Sequence, residues 1–236
     1  MQVSIDLGNI WEALTAVGTV GVAVIALWGD RFNLPRLKVV AKDLIGEIRF
    51  VNPYLGASTS IPPQGIYFCL HVENSRHWRP AKNCRVLLRG VHRQVPNGQY
   101  YREPVIAPLT FKWTNAVTDT QTIKSDAVLD FLLLVQGHEK FEPVLYPVNH
   151  PISSNVKLSL GAETVRYALE ITADNFGPRM QVFEVTWNGA LSNDVTTLRQ
   201  HQNVKQNLKI REVTNDELKQ TNYVDPNINP SLFDPK

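Results

Sequence analysis

Residues 65–74 read GIYFCLHVEN, and this stretch decides the fold class of the chain. Its apolar side chains alternate with more polar ones and fall at Ile66, Phe68, Leu70 and Val72. Side chains two positions apart share a face of an extended chain, so the alternation predicts a β-strand over 65–74. We expect one face of this strand to be buried and the other to be partly wetted.

Similar runs of β-branched and aromatic residues recur along the chain, separated by loops rich in Gly, Pro and Asn. They predict further strands at 36–42, 47–51, 84–91, 109–113, 127–135, 156–160, 166–173 and 181–187. The pair Asn97-Gly98 predicts a type I′ hairpin. Because no helical period persists between the N-terminal segment and the C-terminal tail, we expect a mainly β fold, an antiparallel β-sandwich.

The decisive stretch continues as HVENSRHWRPAKNCRVLLRGV over residues 71–91, which reads as strand, Asn-led turn, connector and strand. It resembles the N-x-G-x-x-x-A-x-N-V-x-V segment of bacterial immunoglobulin- and fibronectin-like modules, with Ser75 where those modules often carry Gly. EITADNFGPRMQVFEVTWNGA, residues 170–190, resembles the later pair of strands in the same modules. The resemblance implies an immunoglobulin-like sandwich and brings no catalytic residues with it.

Before the sandwich, residues 10–28 read IWEALTAVGTVGVAVIALW, one apolar run long enough to cross a bilayer as a helix. Trp11 and Trp28 bracket the run, as aromatic residues do at the two membrane interfaces. The run predicts a single transmembrane helix over 10–29. With the sandwich behind it, the chain resembles a bacterial membrane-anchored immunoglobulin- or fibronectin-like protein.

The flanking charges predict the orientation of this helix. Residues 1–9 contain no Lys or Arg, whereas basic residues follow the run at Arg31, Arg36, Lys38 and Lys42. The positive-inside rule therefore places the N-terminus outside and the sandwich in the cytoplasm, at the inner membrane. The competing interpretation is a cleaved signal peptide, but the acidic Asp6 and the GDRF sequence after Trp28 suit one poorly.

The predicted helix also carries small residues near one face: Thr15, Gly18, Thr19 and Gly21. Small residues let membrane helices approach closely, so this face predicts helix packing and a homo-oligomer. The alternative is that Gly and Thr are simply common in membrane helices.

Four regions follow from these patterns: an extracytoplasmic N-terminus at 1–9, the transmembrane helix at 10–29, the sandwich at 30–202, and a C-terminal helix with a flexible tail at 203–236. In the last region Thr214 and Glu217 form a capping box, which predicts a short helix at about 216–221.

The main concentration of charge runs from Arg76 to Arg93, a segment without Asp or Glu. The candidate binding residues in it are Arg76, Trp78, Arg79, Lys82, Arg85 and Arg89. A basic loop with an exposed Trp would suit anionic lipid headgroups. It would equally suit a phosphorylated ligand such as a nucleotide, gripped by Arg and stacked on Trp. The remaining alternative is a solvated basic edge with Trp78 in the core.

No motif indicates catalysis, and we expect no enzyme, metal or cofactor. Cys69 and His71 share a strand face, and Cys84 and His92 are candidates to converge with them in a sandwich, yet the paired spacing of a zinc site is missing. The two cysteines are expected to be reduced in the cytoplasm and able to pair outside it. The acid pair Asp126 and Asp130 is interpreted as solvated. With a net charge of +2, the protein has no strong positive field that would attract duplex nucleic acid.

The sequence therefore predicts a non-catalytic, membrane-anchored binding or scaffold protein with a protein partner. The alternative is a membrane sensor–effector, similar in layout to antiviral defence proteins, whose cytoplasmic domain binds an anionic, nucleotide-like molecule and drives helix oligomerisation. That alternative rests on architectural analogy.

Overall fold

The computed structural model describes residues 7–42, 46–50, 64–103, 105, 107–114, 116, 118–136, 141–146, 159–189 and 207–220. Within these ranges, helix α1 spans Leu7–Asn33 and a short helix, α2, spans Asn215–Gln220. The strands between them are β1 (Leu37–Val40), β2 (Glu47–Phe50), β3 (Gln64–Asn74), β4 (Ala81–Gln94), β5 (Tyr100–Glu103), β6 (Leu109–Thr110), β7 (Lys112–Trp113), β8 (Gln121–Ile123), β9 (Asp126–Gln136), β10 (Phe141–Leu145), β11 (Thr164–Ala173), β12 (Phe176–Trp187) and β13 (Leu208–Val213).

The strands form two antiparallel sheets. Sheet 1 has the order β1-β3-β9-β10, with β2 also paired to β3 and β7 to β9. Sheet 2 has the order β13-β12-β11-β4-β5, and β6 and β8 pair with β4 as well. The free edge of β4 is thus covered in turn by three short strands, which leaves little of that edge for pairing with another chain.

Both sheets contribute to one apolar core. Phe131 of β9 in sheet 1 lies at its centre, with its ring centroid 5.7 Å from that of Tyr167 in sheet 2 and 6.4 Å from that of Phe183. All three side chains are fully buried. The mainly β, antiparallel architecture expected from the alternating pattern is confirmed, and its two packed sheets agree with a β-sandwich.

Most predicted strands are present with small shifts of their ends, and the decisive stretch forms β3. The prediction at 156–160 falls mostly outside the described residues, which include an isolated bridge from Val144 to Ser159. The pattern missed β5, β8 and β10, which are short strands at sheet edges, and it missed β13. Because β13 pairs with β12, sheet 2 continues past the predicted domain boundary at 202.

The hairpin between β4 and β5 forms where predicted, but its turn is not of type I′. A type I′ turn needs positive φ at both Asn97 and Gly98, and here Gly98 alone of the two has it, at 83°. The N–H of Gly98 donates to the carbonyl O of Val95 at 2.8 Å. Pro96 fixes its own φ near −65°, which suits the second position of a type I turn and leaves the left-handed position to Gly98.

Helix α1 covers the predicted span and confirms that this segment is helical. Its described side chains are largely exposed, with Trp11, Val17 and Ile25 each at 70 %. In the described part of the chain, we find no helix with both the length and the apolar character needed to traverse a bilayer. The membrane crossing of α1 remains a prediction from the sequence.

Helix α2 starts with the predicted capping box. The N–H of Thr214 donates to Glu217 Oε2 at 2.9 Å, and the N–H of Glu217 donates back to Thr214 Oγ1 at 3.4 Å. Leu218, one turn into the helix, packs against Val213 and Met180 on the outer face of sheet 2. The capping box thus starts α2, and the contacts of Leu218 hold this helix against sheet 2.

This capping box predicts a specific dependence of stability on pH. The hydrogen bond from Thr214 N–H, followed by those from Arg211, lowers the pKa of Glu217 to about 2. A carboxylate whose pKa is lower in the folded state contributes stability above its unfolded pKa of about 4.3 and loses that contribution as the pH falls towards 2. We expect Glu217→Gln to be less stable than the wild type at pH 7 and to match it near pH 2.

Denaturant unfolding at a series of pH values measures this difference. Asp216→Asn is the matched control, because Asp216 lies in the same helical turn but outside the capping box. Equal losses in the two variants at pH 7 would contradict a role for the cap and would point to the helix dipole instead.

Candidate functional site

The loop 75–80, between β3 and β4, holds the first half of the predicted basic segment. Asn74, the last residue of β3, is fully buried and fixes this loop. Its Oδ1 accepts hydrogen bonds from the backbone N–H groups of Arg36 and Arg76, both at 3.1 Å. Its Nδ2 donates to the carbonyl O of Arg79 at 2.7 Å and to a carbonyl O between β8 and β9 at 3.2 Å. One buried amide thus joins three segments of the chain.

The loop is also attached to the segment that follows α1. Arg76 Nη1 donates to the carbonyl O of Leu34 at 3.0 Å, and the N–H of Ser75 donates to the carbonyl O of Arg36 at 3.0 Å. Three residues, 34–36, separate α1 from β1. An extended chain covers at most about 3.5 Å per residue, so β1 begins within about 14 Å of the end of α1. The basic loop therefore lies at the end of the sandwich next to α1.

Trp78 projects from this loop into solvent, with 70 % of its surface exposed. His77 and Arg79 on either side of it are exposed as well. The alternative in which Trp78 packs in the core is therefore wrong. The indole combines a large apolar surface with a polar N–H, which suits a contact surface that is partly apolar and partly wet.

Two more basic side chains lie at the same end of the sandwich. Lys82, at the start of β4, is exposed, and its backbone N–H donates to Asn175 Oδ1 at 3.0 Å. Lys124, between β8 and β9, is exposed too. We call loop 75–80 together with Lys82 and Lys124 the basic end. Asp174 also lies there, and it accepts a hydrogen bond from Asn83 Nδ2 at 2.6 Å.

The second half of the predicted basic segment runs along β4, where neighbouring elements supply carboxylates. Arg89 Nε and Nη2 donate to the two carboxylate oxygens of Glu170, at 3.0 and 2.8 Å. Arg85 lies 3.6 Å from Asp119. The segment contains no acid of its own, yet the fold provides one for each of these arginines. The structure thus separates Arg85 and Arg89, which have carboxylate partners, from the exposed basic end.

A buried ionic cluster on the outer face of sheet 2 was missed by sequence reasoning. Glu184 accepts hydrogen bonds from Tyr100 Oη at 2.8 Å, from Arg166 Nε at 2.9 Å and from Arg211 Nε at 2.8 Å. Arg166 also stacks over the ring of Tyr100, 4.0 Å from its centroid. Burial opposes ionisation of Glu184, but the three hydrogen bonds outweigh it, and its pKa is lowered. Partners from β5, β11 and β13 thus satisfy the Glu184 carboxylate on β12.

The interpretation of Asp130 as a solvated carboxylate is wrong. Asp130 is buried on the outer face of sheet 1, where it accepts hydrogen bonds from Arg49 Nη2 at 2.7 Å and Thr114 Oγ1 at 2.6 Å. Arg49 in turn stacks over the ring of Tyr67 at 3.9 Å. Arg49 of β2 and Thr114, the residue after β7, thus satisfy this carboxylate, as a buried charge requires.

The two cysteines cannot form a disulfide in this fold. Cys69 contacts Asp130 and Arg49 on the outer face of sheet 1, whereas Cys84 lies in the core. A disulfide needs Cβ atoms about 4 Å apart, and these two side chains are on opposite sides of a sheet. Burial raises the pKa of each thiol to about 12, so neither is reactive near neutral pH. The expectation that they could pair outside the cytoplasm is corrected.

The metal-binding alternative finds no support in the described residues. No group of three His, Cys, Asp or Glu side chains among them is arranged to hold a metal ion. Cys69 and Cys84 lie on opposite sides of a sheet.

The predicted packing face of α1 is open. Thr15 Oγ1 donates to the carbonyl O of Trp11 at 2.7 Å, and Thr19 Oγ1 donates to that of Thr15 at 2.9 Å. These hydroxyls are satisfied within the helix. A Cβ added at Gly18 or Gly21 would have no atom within 4 Å. None of the residues that the structure describes covers this face at Gly18 or Gly21, so helix–helix packing and oligomerisation remain predictions.

Comparisons with protein-family models, with curated proteins and with solved structures find no match for this chain. The immunoglobulin-like resemblance of residues 71–91 and 170–190 therefore remains a prediction from the sequence.

Proposed function

We propose that this protein is a single-pass membrane protein whose immunoglobulin-like β-sandwich faces the cytoplasm and acts as a non-catalytic binding or scaffold module. The observation that carries the proposal is α1. It presents apolar side chains such as Val17 and Ile25 to solvent, while the sandwich closes its core without them. Exposed apolar surface of this extent favours contact with another apolar phase, and the apolar run at 10–28 of the sequence supports a bilayer as that phase.

The connection between α1 and the sandwich supports a fixed anchor rather than a loose tether. Three contacts hold the chain just after α1: Asn74 holds Arg36, Arg179 Nη1 donates to the carbonyl O of Leu37 at 3.3 Å, and Gln181 Oε1 accepts from the N–H of Val39 at 2.6 Å. A scaffold held this way would present a partner at a defined distance from the membrane.

A charge in the middle of α1 tests the anchor. Val20 is exposed near the centre of the apolar run, and an Asp at the centre of a membrane helix costs about 3 kcal/mol of insertion free energy. We expect the wild type to stay in the membrane pellet after alkaline carbonate extraction and Val20→Asp to be largely released. Lys209→Asp, an exposed position on β13, is the control and should stay in the pellet.

Topology is tested with introduced cysteines, because Cys84 is buried and the pKa of the Cys69 thiol is raised as well, so neither native thiol reacts readily near neutral pH. We expect an impermeant maleimide to label Ser4→Cys from outside the cell and Lys209→Cys after the inner membrane is opened. Release of the wild type by carbonate, or the reverse labelling pattern, would overturn the proposal.

A further inference from the structure

We propose that the basic end of the sandwich docks on the anionic surface of the membrane in which α1 is anchored, with Trp78 entering the headgroup layer. The inference rests on the proposed function and adds to it the orientation of the domain and its lipid partner. It concerns loop 75–80 with Lys82 and Lys124, and it leaves out Arg85 and Arg89 on β4, which lie beside Asp119 and Glu170.

The basic end lies close to the point where α1 would leave the bilayer. Helix α1 continues from Trp28 to Asn33, and Arg76 binds the carbonyl O of Leu34, the next residue. At 1.5 Å per residue, Leu34 lies about 9 Å along the helix axis beyond Trp28. The polar headgroup layer is about 6 Å thick on each side of a bilayer, and the Debye length at physiological salt is about 8 Å. The basic end is therefore within electrostatic reach of the headgroups.

The loop that carries Trp78 is attached firmly to the chain that follows α1. The buried Asn74 amide fixes both ends of the loop, at the N–H of Arg76 and at the carbonyl O of Arg79. It also binds the chain at Arg36, just after α1. The same side chain therefore holds the backbone on both sides of Trp78 and the chain that follows α1.

The side chains of the basic end suit an anionic lipid surface. Amphipathic Trp side chains prefer the membrane interface, where one part of the ring is dry and the indole N–H is wet. Lys and Arg around it are attracted to the anionic lipids of the cytoplasmic leaflet. A site for a free phosphorylated ligand would need arginines converging on a pocket. The arginines of β4 are instead paired with carboxylates, as Arg89 is with Glu170.

The test measures the depth of Trp78 in the full-length protein. The protein is placed in lipid nanodiscs of neutral phosphatidylcholine or of phosphatidylcholine with phosphatidylserine, each with brominated acyl chains that quench nearby Trp. The emission of Trp78 is obtained by subtracting the emission spectrum of Trp78→Phe from that of the wild type. We expect this difference signal to be blue-shifted and quenched at least twofold more in anionic discs than in neutral ones.

Charge variants identify the basic groups that attract the anionic lipid. Lys82→Gln combined with Lys124→Gln should lower the quenching in anionic discs towards the value in neutral discs. Lys209→Gln removes a charge from an exposed position on β13 and should leave the quenching unchanged. Quenching in anionic discs that the double variant leaves at the wild-type value would overturn the electrostatic part of the proposal.

Two outcomes overturn the inference as a whole. One is a Trp78 signal that is unquenched in anionic discs while the protein still resists carbonate extraction, which leaves the anchor in place and removes the docking. The other is a change of the Trp78 signal on adding inorganic phosphate to protein in neutral detergent, since this would identify a site for a free anion. Loss of the protein from the pellet would instead count against the proposed function.

Discussion

Asn74→Ala is expected to lower the free energy of unfolding by about 3 kcal/mol. The Asn74 amide is fully buried and binds backbone groups of three separate segments. A single hydrogen bond contributes about 1 kcal/mol net, and a buried group left without its partner costs about 1–3 kcal/mol. Alanine would remove every one of these bonds and leave the N–H of Arg36 and the carbonyl O of Arg79 without this partner.

Urea unfolding of the full-length protein in detergent, followed by tryptophan fluorescence, measures this loss. Asn97→Ala is the matched control. Asn97 also lies in a turn, where its Oδ1 accepts from the N–H of Gln99 at 3.0 Å, but it is exposed. We expect the control to lose well under 1 kcal/mol. A loss below 1 kcal/mol for Asn74→Ala would show that water replaces the amide, and the fixed geometry of the basic end would then lack its main support.

Glu184→Gln is expected to destabilise the protein by about 3–4 kcal/mol at neutral pH. The substitution keeps the shape of the side chain but removes the charge that faces Arg166, whose side chain is 5 % exposed. Removing one partner of a buried ion pair costs about 3–5 kcal/mol, because the other charge stays in a poorly solvated place. The new amide N–H₂ would also face guanidinium donors.

The dependence of this effect on pH separates the lost charge from lost packing. The pKa of Glu184 is lowered in the folded protein, so its contribution is complete above the unfolded value of about 4.3 and falls as the pH drops through the folded value. The difference between the wild type and Glu184→Gln should therefore shrink in acid. Glu73→Gln is the control, since the pair of Glu73 with Lys42 is largely exposed and should contribute little. A difference that is constant with pH would contradict the electrostatic explanation.

Local patterns predicted most of the elements because the physical cause of each lies within a few residues. The alternation at 65–74 depends on neighbouring side chains. The capping box depends on Thr214 and Glu217, which lie three positions apart in one helical turn. The hairpin at Asn97-Gly98 shows the limit of this reasoning. The position of the turn was predicted, but Pro96 changed its type by fixing one dihedral angle.

The candidate site was predicted as a region, and the fold decided which of its residues are available. In the sequence, Arg79 and Arg89 look alike, since both lie in an acid-free basic segment. Only the pairing of β4 with β11 brings Glu170, 81 residues away, to Arg89. Spacing in the sequence contains no information about such a partner, which is why the whole segment was treated as one candidate site.

The sequence by itself determined the class of each segment, because alternation, apolar length and capping act over short distances. It determined a mainly β chain behind an apolar N-terminal helix. The tertiary structure alone decided that Trp78 is exposed beside the end of α1, that Asp130 and Glu184 are buried in polar clusters, and that the two thiols face opposite sides of a sheet. These features depend on which strands pair and on which side of a sheet a residue falls, and contacts between distant segments fix both.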